Sequence, residues 1–150
     1  MLRALILMLT VSLLPLAAQA TDPASPVGRW RTIDDDTKSE RSIVEVTKVG
    51  DELQGRVLRI FYRPDEKPDP VCDLCEGARK DQPVIGMTFL WGLKPDGGND
   101  WAGGAILDPK NGKIYNAKLS LTEAGSQLRV RGYIGTPLLG RTQTWHREKE

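Results

Sequence analysis

The chain predicts an all-β fold of about eight antiparallel strands, arranged as a meander that closes into a small barrel. Short apolar runs rich in β-branched residues alternate with turns marked by glycine, proline and aspartate, at the spacing of a sandwich or barrel. No helical periodicity runs long enough for the crossover helix that parallel strands need. Finally, Gly28-Arg29-Trp30 near the start and Gly140-Arg141-Thr142-Gln143-Thr144-Trp145-His146-Arg147 at the end bracket the domain. They read as first and last strands that meet.

The segment ahead of the bracket reads as an export signal. Arg3 supplies the positive charge, Ala4 to Ala17 is almost wholly apolar, and Ala18-Gln19-Ala20 is a small-residue cleavage site, so the mature chain is expected to begin at Thr21. The apolar run is shorter than the ~20 residues that span a bilayer. No cysteine stands at the cleavage point, which argues against a lipoprotein anchor. The expected location is the periplasm of a Gram-negative envelope. Residues 21–27, with Pro23 and Pro26, read as a flexible lead-in, residues 28–147 as one domain, and residues 148–150 as a tail.

Within the domain, Trp30 to Ile33 is a short run stopped by Asp34-Asp35-Asp36. Ser42 to Val49 and Leu53 to Tyr62 form a hairpin about Gly50-Asp51. Arg63 to Pro83 is long and irregular, with Pro64, Pro68, Pro70 and Pro83, both cysteines, and room for a helical turn near Cys75 to Lys80. A loop of that length in a compact domain is often functional. Val84 to Leu93 resumes the apolar pattern. Asp100 to Leu107 and Lys113 to Leu121 pair across Asp108-Pro109-Lys110-Asn111-Gly112. Leu128, Val130, Gly132 and Ile134 alternate with Arg129, Arg131 and Tyr133, a half-buried strand by its period of two. Gly55, Gly86, Gly103, Gly104 and Gly132 suit bends or bulges in a curling sheet.

Charge excludes one class of partner. Without Arg3 the chain carries 20 basic and 20 acidic residues. A nucleic-acid binder needs a basic excess to neutralise phosphates. No catalytic constellation emerges either. His146 is the sole histidine, and none of the six serines lies in a Gly-x-Ser-x-Gly elbow. Asp34-Asp35-Asp36 and Asp108 to Lys113 read as turns rather than cation loops, because neither supplies enough closely spaced ligands. No metal or cofactor is expected.

Cys72-Asp73-Leu74-Cys75 admits a local disulfide clip, a redox pair or half a zinc site. A redox pair belongs at a helix N-terminus in an α/β unit, and a structural zinc takes four ligands. In an exported chain the disulfide is favoured. It would hold the long loop at one mouth of the barrel.

Candidate ligand contacts are the aromatics Trp91, Trp101, Tyr115 and Tyr133, which combine apolar bulk with a polar tip, and the strand arginines Arg56 and Arg131. Strand arginines are either outward-facing charge or, pointing inward, a bidentate clamp for an anionic head group. Glu45 and Arg131 are candidates for an internal ion pair. Gly28, Trp30, Arg141, Trp145 and Arg147 are assigned to barrel closure.

The ordered series Gly28-x-Trp30, Cys72-x-x-Cys75, Gly104-x-Ile106-Leu107-Asp108-Pro109, Asn111-Gly112-Lys113-x-Tyr115, Arg131-Gly132-Tyr133 and Leu139-Gly140-Arg141-Thr142-Gln143-Thr144-Trp145 resembles that of the exported bacterial proteins of domain of unknown function 2147. The resemblance implies a lipocalin-like barrel and an exported location, and brings no established substrate. More distantly, Gly28-x-Trp30 with a late Arg147 or Arg141 is similar to the pair that closes one end of lipocalin-like (calycin) barrels. The function expected is non-enzymatic binding of a small, partly apolar molecule such as a lipid or fatty acid. A module that binds another envelope protein through the loop Arg63 to Pro83 is the alternative, and a redox protein using Cys72 and Cys75 the third reading. The bracket seals one end, so a ligand is sought at the other, beside the cysteine loop.

Overall fold

The computed structural model describes residues 24–149. The expected export signal, residues 1–20, lies outside the described residues. Eight strands follow in order: β1 (Gly28–Ile33), β2 (Glu40–Val49), β3 (Glu52–Ile60), β4 (Thr88–Pro95), β5 (Asp100–Asp108), β6 (Lys113–Thr122), β7 (Gln127–Tyr133) and β8 (Gly140–Arg147). Each pairs antiparallel with the next, and β8 returns to β1, so the sheet is a closed barrel. The seam is short, with Trp30 opposite Arg147 and Arg31 opposite His146. Among the described residues no helix is long and apolar enough to cross a membrane. The only helical pieces described are 3-10 turns at Gly77–Arg79 and Glu123–Gly125.

A sheet this small closes only if strands bend sharply. In β5 the register slips between Trp101 and Gly104. Gly103 there takes φ 76°, and a Cβ on Gly104 would lie 2.5 Å from the Trp91 carbonyl oxygen. Glycine at both positions lets β5 fold over β4, as a bulge at a barrel corner requires.

Trp30 anchors the closed end. Its ring is fully buried, its indole N–H donates to the Pro26 carbonyl at 2.9 Å, and the Arg147 guanidinium lies 4.3 Å from its ring centre. Arg147 in turn donates to the carbonyls of Gly125, Val27 and Ser25. Val46, Leu53, Leu90, Leu93, Leu119 and Leu128 fill the adjoining half of the barrel and are 4% exposed or less.

The structure adds contacts at the expected boundaries. Residues 25–27 are held against the barrel, their carbonyls accepting from Arg147 across the seam and from the Trp30 indole. Glu148 is not tail. Its carboxylate receives both Nε and Nη2 of Arg31, at 2.8 and 2.6 Å, and its amide donates to Arg29. The pairing of β4 begins at Thr88 rather than Val84. Val84 and Met87 are buried, but the Val84 amide donates to Pro70 inside the loop and Gly86 takes φ 87°.

Candidate functional site

The end of the barrel away from Trp30 is open and leads into a cavity of about 830 Å³. Four connections surround its mouth: residues 34–39 between β1 and β2, 61–87 between β3 and β4, 109–112 between β5 and β6, and 134–139 between β7 and β8. The volume lies within the range of about 300–1,000 Å³ typical of small-molecule sites.

Strand periodicity builds the wall. Alternate residues face inward, and along each strand their chemistry changes from the sealed end to the mouth. On β1 the order is Trp30, Thr32, and then Asp34 just beyond the strand. On β2 it is Val46, Val44, Ser42, and on β6 Leu119, Ala117, Tyr115. On β8 it is Trp145, Gln143, Arg141. The floor is therefore apolar, formed by Val44, Val57, Phe89, Val130 and Trp145. The Phe89 and Trp145 rings lie 5.9 Å apart, centre to centre. Above it comes a zone of uncharged hydrogen-bonding groups, and above that a charged rim.

The uncharged zone is organised by its own contacts. Thr32 and Ser42 face each other across β1 and β2, with their hydroxyl oxygens 2.7 Å apart. The Gln143 amide accepts from the Trp145 indole at 3.2 Å and donates to Asp35 at 3.0 Å, linking floor to rim. The Tyr115 hydroxyl accepts from the Asn111 amide at 3.1 Å.

Asp34 builds the rim's first turn. Its carboxylate accepts the amides of Asp36 and Thr37 at 3.1 and 2.9 Å and the Thr37 hydroxyl at 3.0 Å. Arg63 reaches the other oxygen at 2.7 Å and Lys110 approaches it at 3.6 Å. The Thr37 amide, helped by the Arg63 charge, holds the Asp34 carboxyl well below the usual carboxylate range although burial opposes this. Arg141 pairs with Asp35 at 3.2 Å. Arg41 pairs with Glu66 at 2.7 Å, and this bond leads the causes that lower the Glu66 pKa.

The long connection is an ordered flap beside this mouth. Cys72 and Cys75 form a disulfide, and both are nearly or fully buried. Val71 bridges to Pro83, and the Cys72 amide donates to Gln82. The flap rests on the β5–β6 turn, where Gly112 at φ 71° approaches so closely that a Cβ would sit 1.9 Å from the Leu74 carbonyl oxygen. Burial of both sulfurs keeps an attacking thiolate away, so the geometry does not favour a redox pair.

Of the sequence candidates, Tyr115 and Tyr133 line the cavity and the others do not. Arg56 is exposed and pairs with Glu45 at 2.9 Å. Arg131 bonds the Pro137 carbonyl and the Thr142 hydroxyl and is absent from the cavity lining, while Glu45 pairs with Arg56 and Arg29. Trp91 lies under the Arg79 guanidinium, 4.4 Å from its ring centre. Trp101 sits opposite Leu119 and packs on the solid core.

The closure residues divide in the same way. Gly28 opens β1 opposite Val46, and Trp30 and Arg147 meet at the seam. Arg141 is at the opposite end, on the rim, and Trp145 forms the cavity floor. Thr32, Ser42, Gln143, Asp35, Arg41 and Lys110 were missed. Counting by twos from Trp30 and Trp145 would have found Thr32 and Gln143.

A solved Helicobacter pylori protein, HP1028, described as belonging to the lipocalin family, is similar in fold: TM-score 0.72 with 19% identity, over 84% of each chain. At that identity the likeness speaks for the barrel alone. Among curated proteins none matches this chain. A family model matches residues 28–147, and the chain belongs to that bacterial family, described as "Uncharacterized protein conserved in bacteria (DUF2147)".

Proposed function

We propose that this protein is an exported binding protein that holds one small amphipathic molecule in its barrel, apolar end first. The observation that carries the reading is the ordered change along the cavity wall, from the Val44, Phe89, Val130 and Trp145 floor through Thr32, Ser42 and Gln143 to the charged rim. A guest with an apolar body gains by displacing water from the floor, about 25 cal/mol per Å² of apolar surface buried. Its polar end can keep hydrogen bonds at the mouth. Ile134 and Leu139 both line the cavity and remain exposed, 64% and 69%, which supports an apolar entry path between the β7–β8 connection and the flap.

The test is native mass spectrometry of the full-length chain expressed with its leader and purified from the envelope fraction without detergent. A discrete added mass that organic extraction removes and identifies as an amphipathic molecule is expected. A homogeneous unliganded mass, together with no binding of the apolar dye Nile red, would refute the reading.

A further inference from the structure

We propose that the polar end of the bound molecule is uncharged, an alcohol, glyceryl or amide group rather than a carboxylate. The inference rests on the amphipathic-ligand reading above and concerns the zone where the guest's polar end would lie. A fatty-acid-like guest needs an available cation there. The cations that line the cavity are Arg41, Lys110 and Arg141, and each already faces a carboxylate: Glu66 at 2.7 Å, Asp34 at 3.6 Å and Asp35 at 3.2 Å.

Asp35 is itself held by the Gln143 amide at 3.0 Å. Asp34 is tied into its turn by hydrogen bonds to Asp36 and Thr37. An incoming carboxylate would have to share or displace these resident partners. The lining carries five aspartates against three basic side chains, so the local field also opposes an anion.

What the wall offers just inside the rim is neutral. The Thr32 and Ser42 hydroxyls bond to each other, and each oxygen keeps further acceptor capacity. The Tyr115 hydroxyl accepts from Asn111 and retains its own proton to donate. These groups can match a hydroxyl or amide without leaving a buried charge uncompensated. A cationic head is also not called for. Asp34 and Asp35, the carboxylates nearest this zone, are already paired, Asp108 accepts from the Lys110 backbone amide and the Asn111 side-chain amide in its turn, and Asp36 and Asp73 are exposed to water, where solvent and salt screen them.

The experiment compares probes of one chain length that differ only at the head: dodecanol, monododecanoylglycerol, dodecanoate and dodecylamine. Each displaces Nile red from the intact protein at pH 7, below its micellar concentration. The neutral probes are expected to bind about tenfold more tightly than dodecanoate. Asp35→Asn releases Arg141, so the ratio of dodecanoate to dodecanol affinity should rise about tenfold. Tighter binding of dodecanoate or dodecylamine than of dodecanol by the unaltered protein would overturn the inference while leaving the ligand reading intact. An unchanged ratio in a folded Asp35→Asn variant would overturn it too. If Nile red and all probes fail to bind, the amphipathic-ligand reading falls, and this inference with it.

Discussion

Trp30→Ala removes the side chain that closes the barrel. The ring is 0% exposed, and a buried aromatic of this class hides about 150–250 Å². At about 25 cal/mol per Å² that is about 4–6 kcal/mol of transfer energy, an upper figure because unfolded chains already bury some of it. The Pro26 carbonyl loses its 2.9 Å donor, and Arg147 loses the ring face 4.3 Å away. Arg147 keeps its carbonyl partners at Gly125, Val27 and Ser25, which limits the collapse. The expected cost is about 3–5 kcal/mol, as for other large buried aromatics. That is a large part of the about 5–15 kcal/mol stability of a typical domain. Urea unfolding followed by far-ultraviolet circular dichroism reads the loss directly as a lower midpoint at unchanged slope. Trp30→Phe separates the contributions, since it keeps most of the area and loses the N–H donor, and should cost clearly less. A loss below about 1 kcal/mol for Trp30→Ala would refute the sealing role, because removal of a buried aromatic cannot be that cheap.

Further outcomes follow from the mouth and the flap. Asp34→Asn should cost about 1–3 kcal/mol at pH 7 by weakening a buried network. The native Asp34 pKa is depressed, so its contribution is present above the unfolded value of about 3.9 and is lost as pH falls through the native one. The gap between wild type and Asp34→Asn should therefore be constant from pH 7 to 5 and shrink in stronger acid, and a gap independent of pH in urea titrations would count against the assignment. Gly132→Leu projects into the cavity, where a Cβ meets Ile106 at 3.4 Å and Tyr115 at 3.7 Å. It should weaken Nile red binding about tenfold or more at a cost well below the about 1–3 kcal/mol of overpacking a closed core. Equal dye affinity would mean that the guest lies elsewhere. Replacing both Cys72 and Cys75 by serine should cost about 2 kcal/mol in the chain-entropy model, seen as a lower thermal midpoint with an unchanged circular dichroism spectrum. Loss of the β spectrum would show that the clip supports the whole barrel rather than the flap.

The barrel was legible because its signals are local. Turns at Gly50-Asp51 and Asn111-Gly112 and the alternation from Leu128 to Ile134 mark strands without any knowledge of their neighbours. The site was much less so. Tyr115 and Tyr133 line the cavity, while Trp91, Trp101, Arg56 and Arg131 do not. Residue type says what a side chain can do, but a slip of one residue turns it to the other face of a sheet. The shift between Trp101 and Gly104 is such a slip, and it cannot be counted from composition.

By itself, the sequence determined the strand number and order and the antiparallel meander, because chain period and turn chemistry act over a few residues. It also determined the meeting of Trp30 with the last strand. Only the tertiary structure decided that half of the barrel is solid and half hollow, that Arg141 belongs to the mouth while Arg147 belongs to the seal, and that each cation lining the cavity is already paired. Those properties depend on where distant strands bring their inward faces together, over separations such as the 108 residues between Asp35 and Gln143. No local pattern encodes them.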